Sequence, residues 1–187
     1  MPLTTLDPRS ALIVVDLQKG ILALPTVHPV AEVVERAREL AAAFRRKGLP
    51  VVLVNADGGA PGRTEQGRLL AGLAPDWAEL LPELDRQPQD HLVTKRTWGA
   101  FTRTGLEAHL KGLGVTQVVL AGIATGAGVE STARQAHEAG FHVTLAVDAM
   151  TDRSLEVHRN SVERIFPRLG ETGSSAEVLA LLARDLP

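Results

Sequence analysis

Val118-Val-Leu-Ala-Gly-Ile-Ala-Thr-Gly-Ala-Gly-Val-Glu-Ser-Thr-Ala-Arg134 is the stretch that decides the fold of this 187-residue chain. Val118 to Leu120 form a short apolar, β-branched run, the pattern of a strand covered on both faces. Gly122, Gly126 and Gly128 follow, where a backbone turns tightly or lies open to an approaching group. From Val129 the composition turns helical, with Val129, Ala133, Ala136 and Ala139 inward, and Gly140 stops the helix. A glycine-rich turn between strand and helix leaves bare amide N–H groups at the helix start. Such amides hold an anion, or an oxyanion that exists only in a transition state.

Outward from this stretch the same alternation repeats. Ala11 to Leu17 is a second buried strand, and it carries a carboxylate, Asp16, near its end. Val30 to Lys47 has apolar residues at helical spacing and is closed by Gly48. Val51 to Val54 and His91 to Thr94 read as strands, Leu106 to Leu113 as a helix, and Phe141 to Val147 as a strand ending on Asp148. Leu155 to Phe166 is helical, Pro167 to Thr172 holds a last strand, and Ser175 to Asp185 is the closing helix. Ala56 to Pro88 is a long Gly/Pro-broken connection with short helices over Gly67–Leu73 and Trp77–Leu81. A connection of that length serves as a lid or an oligomer contact. Six strands alternating with helices predict one α/β domain over residues 1–187. It is a three-layer, Rossmann-like αβα arrangement around a six-stranded, mainly parallel sheet. In such a sheet ligands bind beyond the carboxyl ends of the strands, where Asp16, Lys95 and the 122–128 turn all fall.

Composition narrows the function. Charged residues make up 22% and the formal net charge is -2, which gives no electrostatic footprint for nucleic acid. There is no Cys, so disulfides, thiolate metal sites and a cysteine nucleophile are excluded. No apolar run approaches a membrane span and no secretory signal precedes the first strand, so the expected location is cytoplasmic. The six histidines show no metal-ligand spacing, so neither a metal nor a cofactor is expected. They read as surface or loop residues, with His28 the one pocket candidate.

Three landmarks then coincide: Val15-Asp-Leu-Gln18, Lys95-Arg-Thr-Trp-Gly-Ala-Phe101, and Gly122-Ile-Ala-Thr125 with Gly128-Val-Glu-Ser-Thr-Ala-Arg134. Together they resemble the isochorismatase-like, or cysteine hydrolase, superfamily over nearly the whole chain. The resemblance implies that Asp16 and Lys95 form a catalytic pair, and that Ile123–Ala124 is a non-proline cis peptide. It also implies a small-molecule substrate and a homo-oligomer, a dimer or larger, in which a neighbour helps close the pocket. In amidases of that superfamily a Cys at the helix start forms a thioester; here that position is Gly128, and no side chain exists there to activate. Isochorismatases proper resemble this chain in having Gly at that place, and they hydrolyse a vinyl ether with the Asp as acid. Thr97, however, stands where they resemble one another in carrying an Arg. The 129–134 run looks more like the amidase side.

The candidate catalytic residues are therefore Asp16, Lys95 and Gly128. Gln18, two positions beyond Asp16, is placed with Trp98, Phe101, Ala124 and Thr125 in the substrate-binding set, Trp98 and Phe101 as pocket walls with core packing as the alternative. A neighbouring Lys favours ionised Asp16 while burial favours the neutral acid, and the balance decides whether Asp16 is an acid near neutral pH. Two other functions compete. One is a catalytically degenerate relative that binds small molecules or builds oligomers. The other is a dinucleotide-binding module, since Gly126-Ala-Gly128-x-x-Ser131 approaches that fingerprint with Asp148 as the ribose acid; it leaves Asp16 and Lys95 without a role.

Overall fold

The computed structural model describes residues 3–65 and 73–184. Its six strands are β1 (Ser10–Val15), β2 (Val51–Ala56), β3 (His91–Lys95), β4 (Gln117–Ile123), β5 (His142–Thr151) and β6 (Glu171–Gly173). They form one sheet in the order β3-β2-β1-β4-β5-β6, every neighbouring pair parallel. The helices are α1 (Lys19–Leu22), α2 (Val30–Arg46), α3 (Leu106–Gly112), α4 (Glu130–Glu138), α5 (Leu155–Asn160) and α6 (Ser175–Ala183). The three-layer α/β expectation from the sequence is borne out.

Why the central strands read as unbroken apolar runs is visible in the packing. Leu12 and Val14 of β1 face a core with α2 and α6, while Ala11, Ile13 and Val15 face a second core with α3 and α4. Both faces are covered, so neither can carry the polar half of an alternating pattern. Val33, Val34, Ala37, Leu40, Ala41 and Phe44 of α2 are all buried, and burial of each large side chain is worth about 1.5–3 kcal/mol. The strand order reverses between β1 and β4, which opens a crevice beyond their carboxyl ends. There Gly122 has φ +118, and a Cβ on it would lie 2.0 Å from the Val15 carbonyl oxygen, so only glycine lets the two backbones approach.

Several local expectations are corrected. A short helix, Lys19–Leu22, follows the first strand, where the sequence analysis assigns no element. Residues 75–78 form a turn and Leu80 pairs with Gln18, so no helix spans Trp77–Leu81. The helix expected over Gly67–Leu73 lies outside the described residues but for Leu73, which is not helical. Strand β5 continues to Thr151 through an irregularity that re-registers it against β4, so Asp148 sits inside the strand. The last strand starts only at Glu171, because Phe166-Pro-Arg168 forms a tight helical turn first. No helix among the described residues is long and apolar enough to cross a membrane.

Candidate active site

The site is built from three strand ends. Asp16 follows β1 with φ 53, a left-handed conformation that Asp tolerates better than most residues. Side chains alternate along a strand, so a residue after Val15 would normally point to the α2 face. The left-handed turn re-aims the carboxylate. Lys95 ends β3, two strands away, and its side chain reaches across β2, where Ala56 in register with it carries only a methyl. Its Nζ lies 2.7 Å from Asp16 Oδ2 and donates also to the Trp98 carbonyl at 2.6 Å. Both side chains are buried, at 5% and 2% exposure, so this pair lies far from the weakly interacting surface regime.

Burial pushes the Asp16 carboxyl up to about 6, against the charge and hydrogen bond of Lys95, which lower it. Desolvation is the larger effect here, which settles the balance left open by the sequence. Asp16 Oδ1 is buried and has no hydrogen-bond partner among the described residues. The pair thus presents one oxygen fixed by a cation and one that is unengaged.

Gly128 completes the group. It lies in a wide helical turn, Thr125–Val129, that precedes α4. A Cβ on Gly128 would stand 2.9 Å from Asp16 Oδ2 and 3.1 Å from Val15 Cγ1, so the turn and the carboxylate meet directly. The Ile123–Ala124 peptide is cis. The Ala124 carbonyl accepts from Ala127 and Val129 N–H, both at 3.1 Å. The turn is not a row of bare amides, as the sequence suggests. The Gly126 N–H donates to Asp152 Oδ2 at 2.8 Å, so a carboxylate of this chain already occupies it. Gly126 itself is packed against α5: a Cβ there would meet Val157 Cγ1 at 2.2 Å.

The expected substrate contacts divide. Gln18 is fully buried, and its amide is engaged by backbone on both ends: Nε2 donates to the Ala56 and Trp77 carbonyls at 3.0 and 2.9 Å, and Oε1 accepts from Ala56 N–H at 2.6 Å. It therefore positions chain rather than substrate. With Asn55 Nδ2 donating to the Ala78 carbonyl at 2.7 Å, it fastens residues 77–80 over the ends of β1 and β2. The described second half of the long connection is thus tied to its own chain. Phe101 is half-buried against the core that includes α4, its ring 5.9 Å from that of Phe141, which favours the core-packing alternative over the pocket wall. Trp98 stays exposed at 66%, close to the site through its own carbonyl. Thr97 is occupied locally, donating to the Gly99 carbonyl at 2.9 Å. Thr125 is fully buried and its hydroxyl lies 2.8 Å from His158 Nδ1.

Three residues that touch the Gly128 turn or the Lys95 segment escape the sequence reading. Thr132 Oγ1 donates to the Gly128 carbonyl at 2.6 Å and accepts from Ala100 N–H at 3.1 Å, joining the turn to the Lys95 segment. Gln135, one turn on, accepts from Phe101 N–H at 3.0 Å. Their i+4 and i+7 spacing from Gly128 is the one signal that marks them. The third is His158, read from sequence as a surface residue, which meets Thr125 of the turn. Asp148 accepts from the N–H and hydroxyl of Ser175 at the start of α6, which occupies the acid that a dinucleotide ribose would need. Among the described residues no group of three or more His, Asp or Glu is placed to hold a metal ion.

Comparison with known proteins places the chain in a family and agrees with its fold. The isochorismatase domain family model matches residues 10–177. The isochorismatase family protein YecD of Escherichia coli O157:H7 is 42% identical over 182 residues, 92% of this chain and 96% of that protein. Nicotinamidase 3 of Arabidopsis thaliana is 30% identical over 165 residues, 81% of this chain and 79% of its own. The solved structure of an isochorismatase family protein from Burkholderia thailandensis superposes with a TM-score of 0.91 at 41% identity, covering 97% of this chain and 98% of that one.

Proposed function

The chain belongs to the isochorismatase family of hydrolases, and from that membership we propose that it cleaves a small molecule by acid–base chemistry at Asp16, without a covalent enzyme intermediate. The observation that carries this reading is the buried Asp16 carboxyl, raised to about 6, with Oδ2 held by Lys95 beside Gly128 and Oδ1 unengaged. A group poised near the working pH is the best compromise between holding a proton and giving it up. The thioester route of the amidase side needs a thiolate, and the chain has no Cys.

The reaction that fits is hydrolysis of a vinyl ether. Protonated Asp16 gives its proton to the terminal carbon of the C=C–O unit, leaving an oxocarbenium ion. Water adds to the cation and loses a proton, which restores the acid. The resulting hemiketal collapses to a carbonyl compound and an alcohol. Lys95 stabilises the carboxylate in the interval when its proton is on the substrate. Gly128 lets the carboxylate sit against the turn, where any side chain would meet it. A homo-oligomer suits the exposed Trp98, whose ring a neighbouring copy would cover at the edge of the site.

A screen of vinyl ethers, amides and esters against the wild-type chain tests this. Turnover of a vinyl ether is expected, with rate lost by roughly 10²–10⁴-fold in Asp16→Asn and a decline in rate as pH rises through the Asp16 range. Turnover of amides alone, with a rate that rises through the same range, would make Asp16 a base and overturn the vinyl-ether reading.

A further inference from the structure

A second polar cluster touches the Gly128 turn from elements that hold no part of the Asp16–Lys95 pair. Thr125 Oγ1 lies 2.8 Å from His158 Nδ1 of α5, and the His158 ring stands edge-on to His28 with centroids 4.7 Å apart. His28 in turn is fixed by Thr151, whose Oγ1 accepts from the His28 N–H at 3.2 Å and lies 3.0 Å from Nδ1. Asp152 closes the group, accepting from the N–H groups of Gly126, Arg153 and Ser154 at 2.8, 2.7 and 3.2 Å. We propose that His158 is a positioning residue for this turn: acting through Thr125, its protonation state sets how the segment carrying Gly126 and Gly128 is held. The inference goes beyond the proposed reaction and holds whatever bond the site cleaves.

The reasoning is a count of protons. The Thr125 hydroxyl has one. When His158 is neutral with its proton on Nε2, Nδ1 accepts from Thr125. When His158 is protonated both ring nitrogens donate, so Nδ1–H must be accepted by Thr125 Oγ1 and the hydroxyl proton must turn to another acceptor. Thr125 is fully buried, so that acceptor has to come from the turn or from a bound ligand, not from bulk water. The charged and titratable groups facing His158 are His28 from the loop before α2, Asp152 from the end of β5 and Arg159 from α5. Burial, then His28 and Arg159, hold the His158 ring below its ordinary range, with Asp152 opposing them. His158 is thus neutral at neutral pH and takes its proton on acidification. The attraction then falls on Asp152, the same carboxylate that holds Gly126 N–H. Both routes, hydroxyl and carboxylate, end on the turn.

The test is nuclear magnetic resonance on the full chain with ¹⁵N-labelled histidine and backbone amides, from about pH 5 to about pH 8, the interval in which histidines change charge. The wild-type His158 Nδ1 should read as an unprotonated acceptor at neutral pH. The amide signals of Thr125, Gly126 and Gly128 should carry a component with the His158 ring's own midpoint. His158→Asn keeps an acceptor near the place of Nδ1 but cannot titrate; it should keep the thermal stability of the turn and lose that component, while the component set by Asp16 persists. Thr125→Val should lose it as well. Identical amide titrations in wild type and His158→Asn would overturn the proposal. So would a protonated Nδ1 in the neutral wild-type protein, a reading that needs no variant to fold. Acylation of Thr125 by p-nitrophenyl acetate, abolished in His158→Asn, would overturn it too, because the pair would then be nucleophile and base.

Discussion

A Cβ placed on Gly128 would lie 2.9 Å from Asp16 Oδ2, so the residue at the helix start and the carboxylate at the end of β1 occupy adjoining space. Any larger residue at 128 displaces the carboxylate that Lys95 holds. Gly128→Ala should therefore cost about 1–3 kcal/mol in urea unfolding, the range for overpacking a closed site. Gly128→Cys adds a thiol beside Lys95 at a helix start, surroundings that favour thiolate. It should be acylated slowly by p-nitrophenyl acetate, with the adduct at residue 128 by mass spectrometry. An unmodified Cys in a folded variant would mean that the turn does not present residue 128 to the substrate.

Lys95 and burial act on Asp16 in opposite directions, and Lys95→Met separates them. Without the ammonium only desolvation remains among the named causes, so the Asp16 carboxyl should climb above about 6 and stay neutral at neutral pH. Carboxyl ¹³C titration checks the direction. A fall toward the ordinary carboxylate value would mean that removing Lys95 lets water into the site.

The same shift links stability to pH. The folded-state value of Asp16, about 6, lies above its ordinary 3.8, so the folded state binds this proton more tightly than the unfolded chain does. The stabilisation from that proton is fully present below about pH 4 and is lost as pH rises through about 6. At 1.36 kcal/mol per unit, the loss across that interval is about 3 kcal/mol. Unfolding free energies of wild type and Asp16→Asn, compared at the two ends of the interval, should differ in slope by about that amount. Equal slopes would show that Asp16 keeps an ordinary carboxyl in the folded chain.

What was legible in the sequence follows from how local each signal is. Asp16 and Lys95 end apolar strands, and parallel strands place their carboxyl ends on one edge, so their convergence needs no knowledge of side-chain partners. The buried strands are legible because covering both faces leaves unbroken Val, Ile and Leu runs. Gln18 reads as a substrate contact because its partners, Ala56 and Trp77, come from 38 and 59 residues away, and nothing in the Asp16 neighbourhood reveals them. His158 reads as a surface residue because the wall that half-buries it is made of Thr125 and His28 from distant segments. Phe101 reads as pocket wall or core because an aromatic six residues after Lys95 fits either side of α4, and only its packing against Phe141 favours the core.

Thr132 offers the sharpest separation of hydrogen bonding from shape. Its hydroxyl donates to the Gly128 carbonyl four residues back and accepts from Ala100 N–H, so one buried group ties the turn to the segment that follows Lys95. Thr132→Val keeps nearly the same volume but removes both bonds, and it leaves the Ala100 N–H without its acceptor in a buried place. An unmet buried donor costs about 1–3 kcal/mol. Thr132→Ser restores the hydroxyl and deletes a methyl, which should cost only about 0.5–1.5 kcal/mol. Unfolding should therefore rank wild type above Ser and Ser above Val. Hydrogen exchange at Ala100 and Phe101 should accelerate in Val alone. If Ser loses as much stability as Val and exchange at Ala100 is unchanged in both, the methyl packs the core and the hydroxyl does not hold the two halves of the site together.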